Sequence, residues 1–219
     1  MSPNSPEYRI KRIEKDFSVA DTSFSWEGIP GLTIDHYLWL DNGYRPRAEA
    51  RLCYSPHYIY AYFKVFEGKI KVRFTQFQDP VYKDSCVEIF IDPFPEKCLG
   101  YINIETNAIG TMLIAFGPDR QSRAPISPEV AKDFEVTSSV RECLDGKHGA
   151  EFWTLTYKLP LAVFEKYYGD KIGPGCLAKG NFYKCGDETE FPHYGAWSPV
   201  LCAAPDFHRP EFFGNFRFL

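Results

Sequence analysis

Alternation of apolar and polar side chains, repeated down the chain in short runs, constrains this sequence more than any other feature. Successive side chains of an extended backbone point to opposite faces, so a period of two marks a strand with one buried side. Tyr58–Phe66 is the clearest run, with Ile59, Ala61, Phe63 and Val65 on one side and Tyr58, Tyr60, Tyr62 and Lys64 on the other. Arg47–Tyr54 precedes it across Ser55-Pro56-His57, and this turn triplet predicts a hairpin. Ser85–Asp92 sets Val87, Ile89 and Ile91 against Cys86, Glu88 and Phe90, while Tyr101–Asn107 puts Ile102 and Ile104 inward and Asn103, Glu105 and Asn107 outward. Gly110–Phe116, Phe134–Arg141, Phe152–Leu159, Cys176–Tyr183 and Asn215–Leu219 complete the expected strands. Helical signal is confined to Leu161–Tyr168 behind Pro160, and a short extended or turn segment near Asp35 ends at Leu38 and Trp39. About nine to eleven strands with one short helix predict an all-β fold, a single antiparallel β-sandwich. Residues 1–7 are expected as a frayed tail and residues 8–219 as the sandwich domain.

Two stretches resist the alternation, Gly117–Pro128 and Asp187–Pro210. Both are proline-rich, and the second exceeds an ordinary connection, which makes these loops the places to look for function.

The chain has 219 residues, enough to bury roughly 70% of its unfolded surface without a disulfide or structural metal. Its net charge of −4 argues against a nucleic-acid partner, which would need a basic surface. No run of apolar residues is long enough for a membrane span. The opening residues lack the apolar core of a signal peptide, and seven cysteines form no C-x-x-C pair; together these predict reduced, mostly buried thiols and a cytoplasmic protein. The aromatic content of 17% fits a strand-rich fold and supplies ring surfaces for binding.

Most catalytic signatures are missing. The sequence has no G-x-S-x-G elbow, no H-E-x-x-H, no paired-cysteine zinc pattern, no glycine-rich phosphate loop and no EF-hand loop. Asp206 and His208 stand two apart in a loop, a spacing that fits turn stabilisation better than metal binding. Glu88 and Glu105, on the polar sides of neighbouring strands, are the carboxylate pair a glycan-acting hydrolase would use as acid and base. No cofactor is expected from the residues.

Three segments concentrate aromatic and polar groups. Tyr82 and Glu88 are six residues apart, an even offset that directs both side chains to one face of an extended chain. Asn103 adds a polar group on the next strand, and the segment from Lys179 to Pro199 offers Lys184, Asp187 and Trp197. A sugar suits this combination, because a pyranose has an apolar C–H face for a ring and a rim of hydroxyls for oriented polar partners. The expected function is non-catalytic binding of a mono- or oligosaccharide, with Tyr82 and Trp197 as stacking surfaces and Glu88, Asn103, Lys184 and Asp187 addressing hydroxyls. The two alternatives are a protein-interaction module on the same sandwich and the hydrolase described above.

The run Val81-Tyr82-Lys83-Asp84-Ser85-Cys86-Val87-Glu88-Ile89-Phe90-Ile91-Asp92 resembles the D-S-x-E-x-F-x-D signature of family 9 carbohydrate-binding modules, and more closely the stand-alone family 9-like group. Tyr101–Thr111, Asn181–Asp187 and Asp206–Gly214 resemble that group in the same order, so the likeness runs from about Thr33 to Leu219. It implies a β-sandwich that grips a sugar between two aromatic rings, with Tyr82, Glu88 and Trp197 at the family's positions. The first ring is Tyr where the family has Trp, and Asn103 and Glu105 occupy the polar places where the family carries an arginine. The resemblance also implies that calcium can bind, without assigning residues, and that a glycan-processing enzyme can be a partner.

Overall fold

Ser55, Pro56 and His57 reverse the chain between two strands that pair along their full length, Arg47↔Phe66 through Tyr54↔Ile59. The computed structural model describes residues 5–142 and 152–219; expectations for residues 1–4 of the tail, and for Cys143, lie outside the described residues. Among these are fourteen strands: β1 Glu7–Arg12, β2 Gly31–Ile34, β3 His36–Tyr37, β4 Arg47–Tyr54, β5 Tyr58–Phe66, β6 Cys86–Asp92, β7 Tyr101–Asn107, β8 Met112–Gly117, β9 Ala124–Pro125, β10 Glu135–Ser138, β11 Trp153–Pro160, β12 Leu177–Cys185, β13 Tyr194–Ala196 and β14 Gly214–Phe218. Two helices of a single turn, α1 Pro128–Ala131 and α2 Ser139–Glu142, accompany one of two turns, α3 Leu161–Tyr168. Pro160 sets the extended backbone ahead of α3, and Gly169 closes it in the left-handed region at φ 74°.

One layer runs β10-β11-β5-β4, with β2 on β4; the other runs β14-β12-β6-β7-β8-β9, with β13 on β12 and β3 on β13. β1 joins them. Its first part pairs with β14, Glu7↔Asn215 to Ile10↔Phe218, and its end pairs with β4, Lys11↔Cys53 and Arg12↔Tyr54, all in parallel. The sandwich is therefore one curled sheet, antiparallel except along β1. Tyr8 and Ile10 are buried while Glu7, Arg9 and Lys11 face out, so the strand begins within the segment expected to be a tail.

Between the layers, Ile59, Ala61, Phe63 and Val65 of β5 meet Val87, Ile89 and Ile91 of β6, Ile102 and Ile104 of β7, and Phe182 of β12. The outer faces are not solvated as alternation alone would predict. Phe17, Phe24 and Trp26 cover the outside of the first layer, and Phe17 stacks on the fully buried Tyr60 at 4.1 Å. Over the second layer, Val200, Phe207 and Phe213 from the loop following β12 cover Cys86, Phe90, Tyr101, Tyr183 and Cys185. Asn103, Glu105 and Asn107, expected to point outward into water, are consequently buried. Among the described residues no helix is long and apolar enough to cross a membrane.

Candidate functional site

Where the loop after β12 fails to close fully on the outer face of β6 and β7, a cavity of about 210 Å³ remains. Strand residues Glu88, Glu105 and Cys185 line its floor, joined by Tyr82 from the turn before β6. The loop between β8 and β9 contributes Arg120 and Arg123, and the long loop contributes Asp187, Tyr194, Pro205, Asp206, Phe207 and His208. These two loops are the stretches that broke the alternation of the sequence.

The long loop is fastened at several points. Asp187 and Glu188 donate backbone hydrogen bonds to the carbonyls of Tyr82 and Lys83, both at 3.1 Å. Glu188 is also paired with Arg73 at 2.6 Å and Lys83 at 3.0 Å. Phe207 stacks on Tyr183 at 4.0 Å, and the Tyr183 hydroxyl donates to the Phe207 carbonyl at 3.0 Å. Asp206 accepts the His208 amide at 3.1 Å, so that pair stabilises a turn, as its spacing suggested.

The electrostatics centre on two buried carboxylates. Glu88 and Glu105 are direct cross-strand partners on β6 and β7, a register that holds their Cβ atoms about 5 Å apart. Arg123 Nη1 donates to Glu105 Oε1 at 3.0 Å, Asn103 Nδ2 donates to the same oxygen at 3.0 Å, and Glu105 Oε2 has no partner. The Cys185 thiol donates to Glu88 Oε1 at 3.0 Å. Burial, and then the charge of Glu105, push Glu88 well above the ordinary carboxylate range. Burial also raises Glu105, with Arg123 pulling it back. Asp187 is raised to about 6 by burial, partly offset by Arg120. His208, which shares a 2.8 Å hydrogen bond with the Tyr101 hydroxyl, is lowered to about 3 by burial and by Arg123 and Arg120.

Of the six residues singled out in the sequence, Tyr82, Glu88 and Asp187 come together on the cavity. Asn103 lies on the same face but fully buried, holding Glu105 from below. Lys184 points the other way. Cys185 lines the cavity, so its strand neighbour must face the space between the layers, where Lys184 is fully buried against Glu67 at 3.3 Å and His193 at 2.7 Å. Trp197 also turns away from the cavity, its ring set edge-on to Tyr8 and Phe182 and seated over Gly214, where an added Cβ would lie 2.4 Å from Trp197 Cζ3. The long loop instead delivers the rings of Tyr194 and Phe207, and the loop between β8 and β9 delivers the guanidinium groups of Arg120 and Arg123. All four stand in segments whose length was informative, but loop residues carry no periodicity that reveals where a side chain points.

A family model described as carbohydrate-binding family 9 matches residues 19–218. The chain belongs to carbohydrate-binding family 9. A family 9 module from Caldicellulosiruptor kristjanssonii solved with glucose has a TM-score of 0.64 at 12% identity, covering 98% of this chain and 96% of its own. The same organism's module with cellotriose gives 0.63 at 11%, covering 97% and 93%. A protein of Bacteroides uniformis ATCC 8492, described as a candidate carbohydrate-binding protein, gives 0.84 at 28%, covering 99% and 100%. No curated protein matches the sequence. Calcium, implied by the family, takes about six to eight oxygen ligands. The metal-capable side-chain cluster among the described residues is Cys86, Glu88 and Cys185, two sulfurs and a carboxylate, which does not fit that ion.

Proposed function

We propose that this protein binds a mono- or oligosaccharide in the cavity beneath its long loop, without turning it over. The observation that carries the reading is the lining of that cavity, where the rings of Tyr82, Tyr194 and Phe207 stand beside Glu88, Glu105, Asp187, Arg120 and Arg123. Aromatic faces take the apolar side of a pyranose, and charged groups fixed in a desolvated pocket form strong hydrogen bonds to its hydroxyls. Tyr82 and Phe207 supply stacking in this reading, and Glu88, Asp187 and Arg123 address hydroxyls. At about 210 Å³ the cavity is smaller than the roughly 300–1,000 Å³ of drug-sized sites, so it suits one sugar unit with any further units outside. Family membership supports the reading, as do the glucose and cellotriose complexes of the similar modules. An enzyme that makes or degrades such glycans is the protein partner this function implies.

Hydrolysis is disfavoured by the placement of the acidic pair. A glycosidase needs both carboxyl groups free to reach the scissile bond, whereas Glu105 Oε1 is held by Arg123 and Asn103 and both groups are buried in the floor. Calorimetric titration with glucose, cellotriose and a panel of other sugars tests the proposal. A saturable one-to-one isotherm with unchanged sugar recovered afterwards is expected. Absence of heat with every sugar overturns it and leaves the protein-interaction alternative, and a cleaved product overturns the non-catalytic part.

A further inference from the structure

Beneath the cavity floor, Cys86 and Cys185 are direct partners across β6 and β12, and Glu88 lies two residues along β6 on the same face. Their ligating atoms, two Sγ and one carboxylate oxygen, all lie within 4.8 Å of one another. All three residues are buried, and Cys185 and Glu88 also border the cavity, which gives an ion a way in. Tetrahedral zinc, with bonds of roughly 2.3 Å to sulfur and 2.0–2.2 Å to oxygen, spaces its ligands roughly 3.5–3.8 Å apart. The three donors need only small side-chain adjustments to reach that spacing.

Charge and hydrogen bonding around the cluster point the same way. Glu105 and Asp187 also border the cavity, so its carboxylates outnumber Arg120 and Arg123, and Arg123 is already engaged with Glu105. Glu105 Oε2 is buried without a hydrogen-bond partner, directly across the strand pair from Glu88. A water on an ion bound at Glu88 would supply the missing donor, the outer-shell contact that carboxylates commonly make in metal sites.

We infer that Cys86, Cys185 and Glu88 form a site for a thiophilic divalent cation of the zinc class, with the fourth coordination position open to the cavity. On binding, each Sγ–H bond and the carboxyl O–H bond of a protonated Glu88 release a proton to solvent as the metal–sulfur and metal–oxygen bonds form; no electrons are transferred. Glu88 Oε1, which already accepts the Cys185 thiol, is the third ligand. The ion and the sugar of the proposed function would share Glu88, so the metal titration is run without sugar and its outcome is read separately from sugar binding.

Cobalt(II) titration of the reduced full-length protein is the test. One equivalent should produce the thiolate-to-cobalt charge-transfer band and the intense visible bands of tetrahedral cobalt, and one equivalent of zinc should bleach both. Cys86→Ser and Cys185→Ser should each lose most of the charge-transfer intensity and weaken affinity at least tenfold, while Cys98→Ser leaves both unchanged. If the serine variants fail to fold, cadmium-113 resonance on the unaltered protein decides, since its shift distinguishes a two-sulfur donor set from oxygen ligands alone. No charge-transfer band, a band that persists in folded Cys86→Ser and Cys185→Ser proteins, or an oxygen-only cadmium shift overturns the assignment.

Discussion

Glu88 and Glu105 face each other across β6 and β7 as two buried carboxylates with unlike partners: a guanidinium and a side-chain amide on Glu105, a thiol on Glu88. The direct pairing with Glu105 gives Arg123 a structural weight that its position in a loop does not suggest. Arg123→Met leaves Glu105 desolvated and uncompensated, and should lower stability by about 3 kcal/mol. Adding Glu105→Gln should restore much of that loss by removing the stranded charge. Urea denaturation of the single and double variants measures both effects; equal stability of the two would contradict the coupling.

Lys184 is a second buried cation. Its ammonium meets Glu67, His193 and the Cys185 carbonyl, while Glu67 also accepts from Ser85 and from the indole of Trp153. Lys184→Met should therefore cost about 3–5 kcal/mol of stability. Sugar affinity, measured where the variant remains folded, should stay within about twofold because no atom of Lys184 reaches the cavity.

The ring of Trp197 packs among Tyr8, Phe182 and Phe216. Trp197→Ala should cost about 3 kcal/mol through the void it leaves, with the thermal midpoint as readout. Gly214→Ala should destabilise as well, because its methyl would enter the space of the indole. Neither change should alter the sugar panel. A selective loss of affinity in a folded Trp197→Ala protein would mean that the ring reaches the ligand.

Two histidines contribute to the acid response. Burial, then Lys184, lowers His193 to about 3, and burial, then the arginines, lowers His208 to about 3. Both rings stay neutral in the folded chain while the unfolded chain takes up protons near pH 6.5, so unfolding binds protons. Their contribution is complete above about pH 6.5 and falls toward pH 3, at up to about 1.4 kcal/mol per pH unit for each ring. Asp92 and Asp187, both raised to about 6 by burial, and Glu88 and Glu105, also raised by burial, act in the opposite sense. The direct check is nuclear magnetic resonance of the imidazole protons, in which His193 and His208 should not titrate between about pH 8 and about pH 4. A midpoint near 6.5 for either ring would contradict the burial described.

The sequence carried the strand framework because alternation is a local property. The β4–β5 hairpin, β7 and α3 run between the residues their patterns predicted. Strand parity also decides which way Lys184 faces. Tyr183 and Cys185 share one face of β12, and Lys184 must then face the other, into the core. What alternation could not convey was a second cover. Residues 13–30 and the loop after β12 bury faces that look solvent-exposed from their polar character, and neither segment has a repeat of its own. Phe207 and Arg123 reach the cavity through loop geometry, and the slot that takes Trp197 exists because Gly214 lacks a side chain.

A crystal structure of the protein grown with glucose or cellotriose tests the central claim most directly. The account predicts one sugar ring in the cavity, its apolar face on Tyr82 or Phe207 and its hydroxyls within hydrogen-bonding distance of Glu88 and Asp187. A sugar held elsewhere, at Trp197 for example, or an empty cavity at a concentration that saturates the titration, would contradict it.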